Sequence, residues 1–322
     1  MQSTQSATYE GSRRDSSTIA RNQLIRRFRV APADVGTVGY VGGGRLLEWI
    51  DDAAHAAAAQ WSGCDCLTTY VGNLHLHRPI GVGDFVELTA SVVHTGHSSI
   101  HLLVTIDSSG PAGDNGQTAQ CPMIFVAVDD IGRPVEVPRW APVTMLEMQR
   151  HHHARLRIPV CKRIEGAMAA ESHPPTPVTV RFLAGSGDAD SRGRVHGGRV
   201  MRWIDESAYE CGAEWTSAHT IASYLAGVRF YRPVGVGDVI GVTARIMHTG
   251  PRSVHCRIQI TTNDIGVGEP RLVACAVAVV VSLDARGAAR AVPLWKPHSD
   301  EDHRLDQSAR QLLQLRQFME PN

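Results

Sequence analysis

The sequence predicts an α+β fold built twice along one chain, each half an antiparallel sheet curled around one buried helix. The first observation behind this is a repeat. Gly43-Gly44-Arg45-Leu46-Leu47-Glu48-Trp49-Ile50-Asp51-Asp52 returns as Gly197-Gly198-Arg199-Val200-Met201-Arg202-Trp203-Ile204-Asp205-Glu206, 154 positions on, and the offset holds through Trp61/Trp215, Arg78-Pro79/Arg232-Pro233 and Cys121/Cys275. One inserted residue then pairs Pro138 with Pro293 and Trp140 with Trp295. A period this long marks a duplicated domain, since solenoid units recur at roughly 20–50 residues. The second observation is that each copy holds one apolar, helix-like segment. The third is that the rest of each copy is a series of strand-like runs punctuated by Gly, Pro and Asp, which is an α+β layout.

Taken in order, residues 1–23 read as a disordered tail, polar and rich in Ser, Thr and Arg. The first domain spans 24–140, a connector 141–177, the second domain 178–295, and a tail 296–322. Each domain opens with a short strand ending at Phe28 or Phe182, followed by a Gly-rich loop. The helix then runs over Arg45–Trp61 or Arg199–Trp215. Leu46, Leu47, Trp49, Ile50, Ala53, Ala54, Ala57 and Ala58 cover most of the first helix's circumference, the pattern of a helix buried on most sides, and its alanines point to close packing. Strands follow over Thr68–His77, Asp84–Thr95, Ser98–Ser108 and Ala119–Asp129. The second copy gives His219–Tyr231, Asp238–Thr249, Ser253–Thr262 and Arg271–Leu283. In the connector Met145–Arg157 reads as helical. His173-Pro174-Pro175-Thr176-Pro177 must be extended or turning, because proline lacks an N–H and restricts its predecessor. Asp302–Met319 sets Leu305, Leu312, Leu315 and Phe318 among polar residues and reads as a helix on the surface.

Composition narrows the function. The 322 residues carry 32 basic and 32 acidic side chains, so nothing asks for nucleic acid or an anionic membrane. Seven cysteines with no CxxC pair fit reduced thiols in the cytoplasm. No secretory signal is visible at the start. The longest apolar run, Leu272–Leu283, falls short of the about 20 residues a membrane span needs.

Asp51 and Asp205 are the leading chemical candidates. Each sits in an otherwise apolar helix, where lost hydration raises a carboxyl's pKa and the adjacent Asp52 or Glu206 pushes the same way. Such a group suits a general base or nucleophile, and equally an acid on the helix's one wet stripe. Gly43-Gly44 and Gly197-Gly198, with His196 before the latter, stand at the helix starts, where unpaired N–H groups make either an oxyanion hole or a capping turn. Gly43 and Asp51 are eight residues apart, about 12 Å along a helix. No Asp side chain spans that distance. If both groups act on one carbonyl, Asp51 works with Gly197 and Gly198, and Asp205 with Gly43 and Gly44. The turns Thr95-Gly96-His97-Ser98-Ser99 and Thr249-Gly250-Pro251-Arg252-Ser253 are either phosphate-holding or plain hairpins. Arg78-Pro79 and Arg232-Pro233 read as mostly structural. His151-His152-His153 reads as a solvated segment rather than a metal site.

The ordered motifs Gly-Gly-Arg-x-x-x-Trp-Ile-Asp-Asp/Glu, Arg-Pro-Ile/Val-Gly-Val-Gly-Asp and Thr-Gly-x-x-Ser resemble the acyl-CoA thioesterases of the hotdog fold, and the duplication resembles their tandem members. The resemblance covers roughly Gly36–Trp140 and Gly185–Trp295. It implies two hotdog domains side by side, with sites between them hydrolysing a fatty acyl-CoA to the free acid and CoA. Asp51 or Asp205 would be the catalytic carboxylate, and backbone N–H groups near the glycines would polarise the thioester carbonyl. The turns holding Thr95, Gly96, Ser98, Ser99, Thr249, Gly250, Arg252 and Ser253 would meet the CoA moiety. It implies no metal or redox cofactor, and a homo-oligomer, a trimer of double hotdogs. The first half has Gly42 where the family often has the His kept at His196. Tyr40 and Arg194 stand where tandem members often use Asn. Two rivals remain. One is a hotdog hydratase, for which Asp188 and His196 are too far apart and lack the Asn-Pro. The other is an acyl-CoA-binding or assembly protein with decayed sites.

Overall fold

A computed structural model describes residues 22–317 except 36–38, 77, 111–114, 169–177, 191, 264–269 and 285–287. The tail 1–21 and the prolines at 174–177 lie outside the described residues. The first half contains β1 (Gln23–Arg29), α1 (Gly43–Ser62), β2 (Asp65–Val71), β3 (Leu74–Leu76), β4 (Phe85–Thr95), β5 (Ser99–Ser109) and β6 (Asn115–Val128). α2 (Met145–Met168) follows. The second half contains β7 (Val178–Leu183), α3 (Gly197–Thr216), β8 (Thr220–Phe230), β9 (Val239–Thr249), β10 (Ser253–Asn263) and β11 (Arg271–Ser282), and α4 (Asp300–Gln317) follows it. No helix among the described residues is long and apolar enough to cross a membrane, and the six described cysteines are free thiols.

All pairings are antiparallel and make one sheet, ordered β1-β4-β5-β6-β2-β8-β11-β10-β9-β7, with β3 beside β6 and β8. The second half repeats the first in mirrored order. They join where Tyr70 and Val71 of β2 pair with Arg229 and Val228 of β8, and Leu74 of β3 pairs with Leu225. Thr68–His77 was expected as one strand. It is broken at Gly72, whose N–H bonds the Pro122 carbonyl at 2.7 Å. A Cβ on Gly72 would lie 2.5 Å from the Pro122 ring. Pro122 cannot donate to the ladder, so the strand kinks around it. At these positions the second half has Ala226 and Ala276, and β8 runs unbroken.

Each central helix is cradled by its own sheet and packs on the other helix. Leu46, Leu47, Trp49, Ile50, Ala53, Ala54, Ala57 and Ala58 of α1 are buried, as are Val200, Met201, Trp203 and Ile204 of α3. Phe28 packs edge-on against Trp49 at 4.6 Å, and Phe182 stacks on Trp203 at 5.3 Å. The helices begin two residues earlier than expected, because the glycines form their first turns. Those glycines permit a close approach between the helices. A Cβ on Gly198 would stand 2.8 Å from Glu48 Cα, and one on Gly44 would stand 3.0 Å from Arg202 Cα. Glu48 lies at this crossing and pairs with Arg45 at 2.8 Å, Arg202 at 3.5 Å and Arg199 at 3.6 Å.

The repeat extends beyond its expected end, into the connector and the tail. Glu147 accepts from the N–H groups of Val143 and Thr144 at the start of α2, and Thr144 Oγ1 accepts from the Glu147 N–H. Asp302 accepts from those of His298 and Ser299 at the start of α4, and Ser299 Oγ accepts from the Asp302 N–H. These are equivalent capping boxes. Ala154 of α2 packs on Val93, while Leu305 and Ala309 of α4 pack on Met247. α2 is longer than the expected Met145–Arg157 and continues past Pro159.

Candidate active site

The structure brings Asp51 to the start of α3. Its Oδ2 accepts the Gly198 N–H at 2.7 Å and its Oδ1 accepts the Thr68 hydroxyl at 2.9 Å. Asp51 is 3% exposed. Burial pushes its carboxyl above the ordinary range, against the pull of the Gly198 and Thr68 hydrogen bonds and of His55. A Cβ on Gly197 would lie 2.9 Å from Thr68 Oγ1 and 3.1 Å from Asp51 Oδ1, so only glycine lets the helix start come this close. The first N–H groups of a helix have no acceptor within it. That of Gly198 is given to Asp51, and Gly197, one residue earlier, lines the cavity at the site.

A cavity of about 140 Å³ opens here, lined by Asp51, His55, Thr68, Asp190, Arg194, His196, Gly197 and Arg232 among others. His196 caps α3 with extended backbone and an exposed ring. Arg194, expected only as a departure from the family, is a structural tie across the halves, paired with Asp190 at 2.9 Å and with Asp65. Burial alone would raise the Asp65 carboxyl, but the Arg194 hydrogen bond and charge outweigh it and hold it low. Asp65 also lies 3.6 Å from His55. Asp188, the acid of the hydratase rival, is paired with Arg199 at 2.7 Å and caps Gly185. It is not aimed at His196.

The second copy of this arrangement is poorer. Asp205 Oδ2 accepts the Gly44 N–H at 2.8 Å, and a Cβ on Gly43 would meet Asp205 Oδ1 at 3.0 Å. Burial pushes the Asp205 carboxyl up to about 6, and Glu206 adds to the rise. The hydroxyl is absent here because Ala222 occupies the place of Thr68. Gly42 replaces His196, and Tyr40, 49% exposed, replaces Arg194. A Tyr209–His219 hydrogen bond at 2.9 Å stands where the first site has His55 and Asp65. Thr68, His55, Asp65 and Asp190 were missed from the sequence. Comparing the copies for differences, as well as for matches, marks all four.

The two Thr-Gly turns lie outside this cavity. Thr95 Oγ1 accepts the Trp140 N–H at 2.9 Å, and Thr249 Oγ1 does the same for Trp295. The Gly96 and Gly250 N–H groups close tight hairpins onto the carbonyls of Ser99 and Ser253. Ser98 and Ser99 sit in the first turn, and Arg252 in the second is exposed. Of the three consecutive histidines, His151 is packed, with Nδ1 3.0 Å from the Val93 carbonyl and its ring 5.0 Å from that of His94, while His152 and His153 are exposed.

Comparison with known proteins gives consistent results. A family model described as the thioesterase superfamily matches residues 38–112 and 192–269. The cytosolic acyl coenzyme A thioester hydrolase of Rattus norvegicus is 23% identical over 92% of this chain and 83% of its own length. An uncharacterized acyl-CoA thioester hydrolase of Bacillus subtilis is 32% identical over 41% of this chain and 78% of its own. A solved acyl-ACP thioesterase of Bacteroides thetaiotaomicron is 10% identical, with a TM-score of 0.54 over 81% of this chain and 98% of its own, a likeness of fold.

Proposed function

The chain belongs to the thioesterase superfamily as a tandem hotdog acyl-CoA thioester hydrolase, and we propose that it hydrolyses a fatty acyl-CoA at the cavity built on Asp51. The observation that carries the choice of site is the Asp51 carboxylate held between the Gly198 N–H and the Thr68 hydroxyl. Asp205 has only the first of these.

Asp51 acts as general base. Both of its oxygens are tethered, which suits accepting a proton from water better than leaving those partners to attack carbon. Water adds to the thioester carbonyl as Asp51 takes its proton. The negative charge that develops on the carbonyl oxygen is met by the Gly197 N–H at the positive end of α3, with His196 beside it. Collapse of the intermediate breaks the C–S bond, and the CoA sulfur leaves with the proton. No step needs a metal or redox cofactor, so dialysis against a chelator should leave turnover unchanged. The two Thr-Gly turns are assigned to the CoA moiety, which extends beyond so small a cavity. The protein is placed in the cytoplasm, in line with the name of its rat relative. It is assigned as a trimer of double hotdogs, which light scattering tests directly.

Thiol release from a panel of acyl-CoAs tests the activity. Saturable CoA binding without thiol release would favour a decayed binding protein and sink the reading.

A further inference from the structure

The Arg-Pro pair that precedes each Gly-Val-Gly-Asp turn is used differently in the two halves. Arg78 is committed to its own sheet. Its Nε donates to Ser108 Oγ at 3.0 Å and Thr118 Oγ1 at 3.3 Å, and an Nη donates to Ser108 Oγ at 2.6 Å. In the second half the 154-residue offset puts Thr262 in place of Ser108 and Leu272 in place of Thr118. Leucine offers no acceptor, and the Thr262 hydroxyl is buried without a partner among the described residues. The slot that holds Arg78 has thus lost its grip on Arg232.

Arg232 is exposed and lines the cavity that contains Asp51. Among the described residues it makes no hydrogen bond or ion pair. The acids nearest the mouth are already taken, because Asp65 and Asp190 are paired with Arg192 and Arg194. An uncompensated guanidinium beside a reaction cavity suits an oxyanion, which its planar fork can grip through two N–H groups.

We infer that Arg232 is a substrate-binding residue that holds an oxyanion of the thioester, either a carboxylate on the acyl chain or a phosphate of CoA. The inference rests on the thioesterase reading. It assigns Arg232 to binding and leaves the chemistry to Asp51, so its loss weakens substrate capture without slowing the bound complex.

The test compares the full chain with its R232Q and R232K variants on four thioesters: pentanoyl and glutaryl groups, each on CoA and on pantetheine. R232Q should raise KM by about ten- to a hundredfold for the substrates that carry the recognised oxyanion, with kcat nearly unchanged. R232K should fall between, since it keeps the charge and loses the fork. An effect confined to both glutaryl thioesters identifies an acyl carboxylate, and one confined to both CoA thioesters identifies a phosphate. A KM effect equal on all four, or absent, overturns the inference. If the unaltered protein hydrolyses none of the four and the acyl-CoA panel also gives no thiol release, the thioesterase reading fails. Equilibrium binding of the same four compounds then decides on Arg232, with equal affinities for the unaltered chain and R232Q overturning it.

Discussion

Replacing Asp51 with Asn removes one ionisable group and little else. The side chain is 3% exposed and accepts from the Gly198 N–H and the Thr68 hydroxyl. Asn keeps the shape. Its oxygen can take the Gly198 N–H, and its NH₂ can face Thr68 once that hydroxyl rotates to accept. The fold also no longer carries a buried carboxyl, so the melting temperature of D51N should not fall. Losing a general base slows the chemical step by about 10²–10⁴-fold, or about 3–5 kcal/mol of barrier. What the assay reads depends on the second site. If both sites worked equally, D51N would lose only half the turnover. Because Asp205 faces Ala222 instead of a hydroxyl, the Asp51 site is expected to carry nearly all of it. Continuous thiol release at saturating acyl-CoA should therefore fall at least about a hundredfold in D51N, and little in D205N. A folded D51N protein that keeps half its turnover or more would refute the assignment.

Four further outcomes are expected. Gly198→Ala drives a Cβ to within 2.8 Å of Glu48 Cα, so the helices must separate. It should lower stability by about 1–3 kcal/mol along with activity, and an unchanged melting temperature would count against the close crossing. Asp51 works ionised and its carboxyl is raised, so kcat/KM should rise with pH along a limb above the ordinary carboxylate value; a limb at or below that value contradicts the buried base. The Asp205 carboxyl is raised to about 6, so the folded state holds the extra proton between its ordinary value and about 6. Stability should fall as pH climbs through that window, and D205N should make the slope shallower while the raised Asp51 keeps the rest of it; an identical slope in D205N would show that other groups set it. Arg252→Ala should raise KM for acyl-CoA and spare an acyl-pantetheine, while equal effects on both would remove Arg252 from the CoA moiety.

The duplication, the two central helices and most strands were legible because their signals are local: an exact offset, apolar helical faces, and Gly, Pro and Asp between runs. Helix rise gave the crossed pairing of Asp51 with Gly198 and Asp205 with Gly44 once both groups were taken to act on one carbonyl. The break at Gly72 was not legible, because its cause, Pro122, is a neighbour only after the sheet has formed. Thr68 was missed because nothing in its own strand marks it; it acquires a partner only when α1 lies across the sheet. The capping boxes at Thr144 and Ser299 have a local signal, Thr-x-x-Glu and Ser-x-x-Asp just before a helix. Arg78 and Arg232 look alike in sequence and part company only through Thr118 and Leu272, which lie far away in the chain.

The Glu48–Arg202 contact has a consequence for how the two halves choose each other. These residues occupy the same place in the repeat, yet they touch across the pseudo-twofold axis at 3.5 Å. On a true twofold axis a residue meets its own copy. Two first halves docking in this way would set Glu48 against Glu48, and two second halves would set Arg202 against Arg202. Either pairing sets like charges against each other at the helix crossing, where glycine has already brought the backbones together. Only the mixed pair places Arg202 opposite Glu48. The axis thus favours the mixed pair, and the peptide link between the halves supplies it.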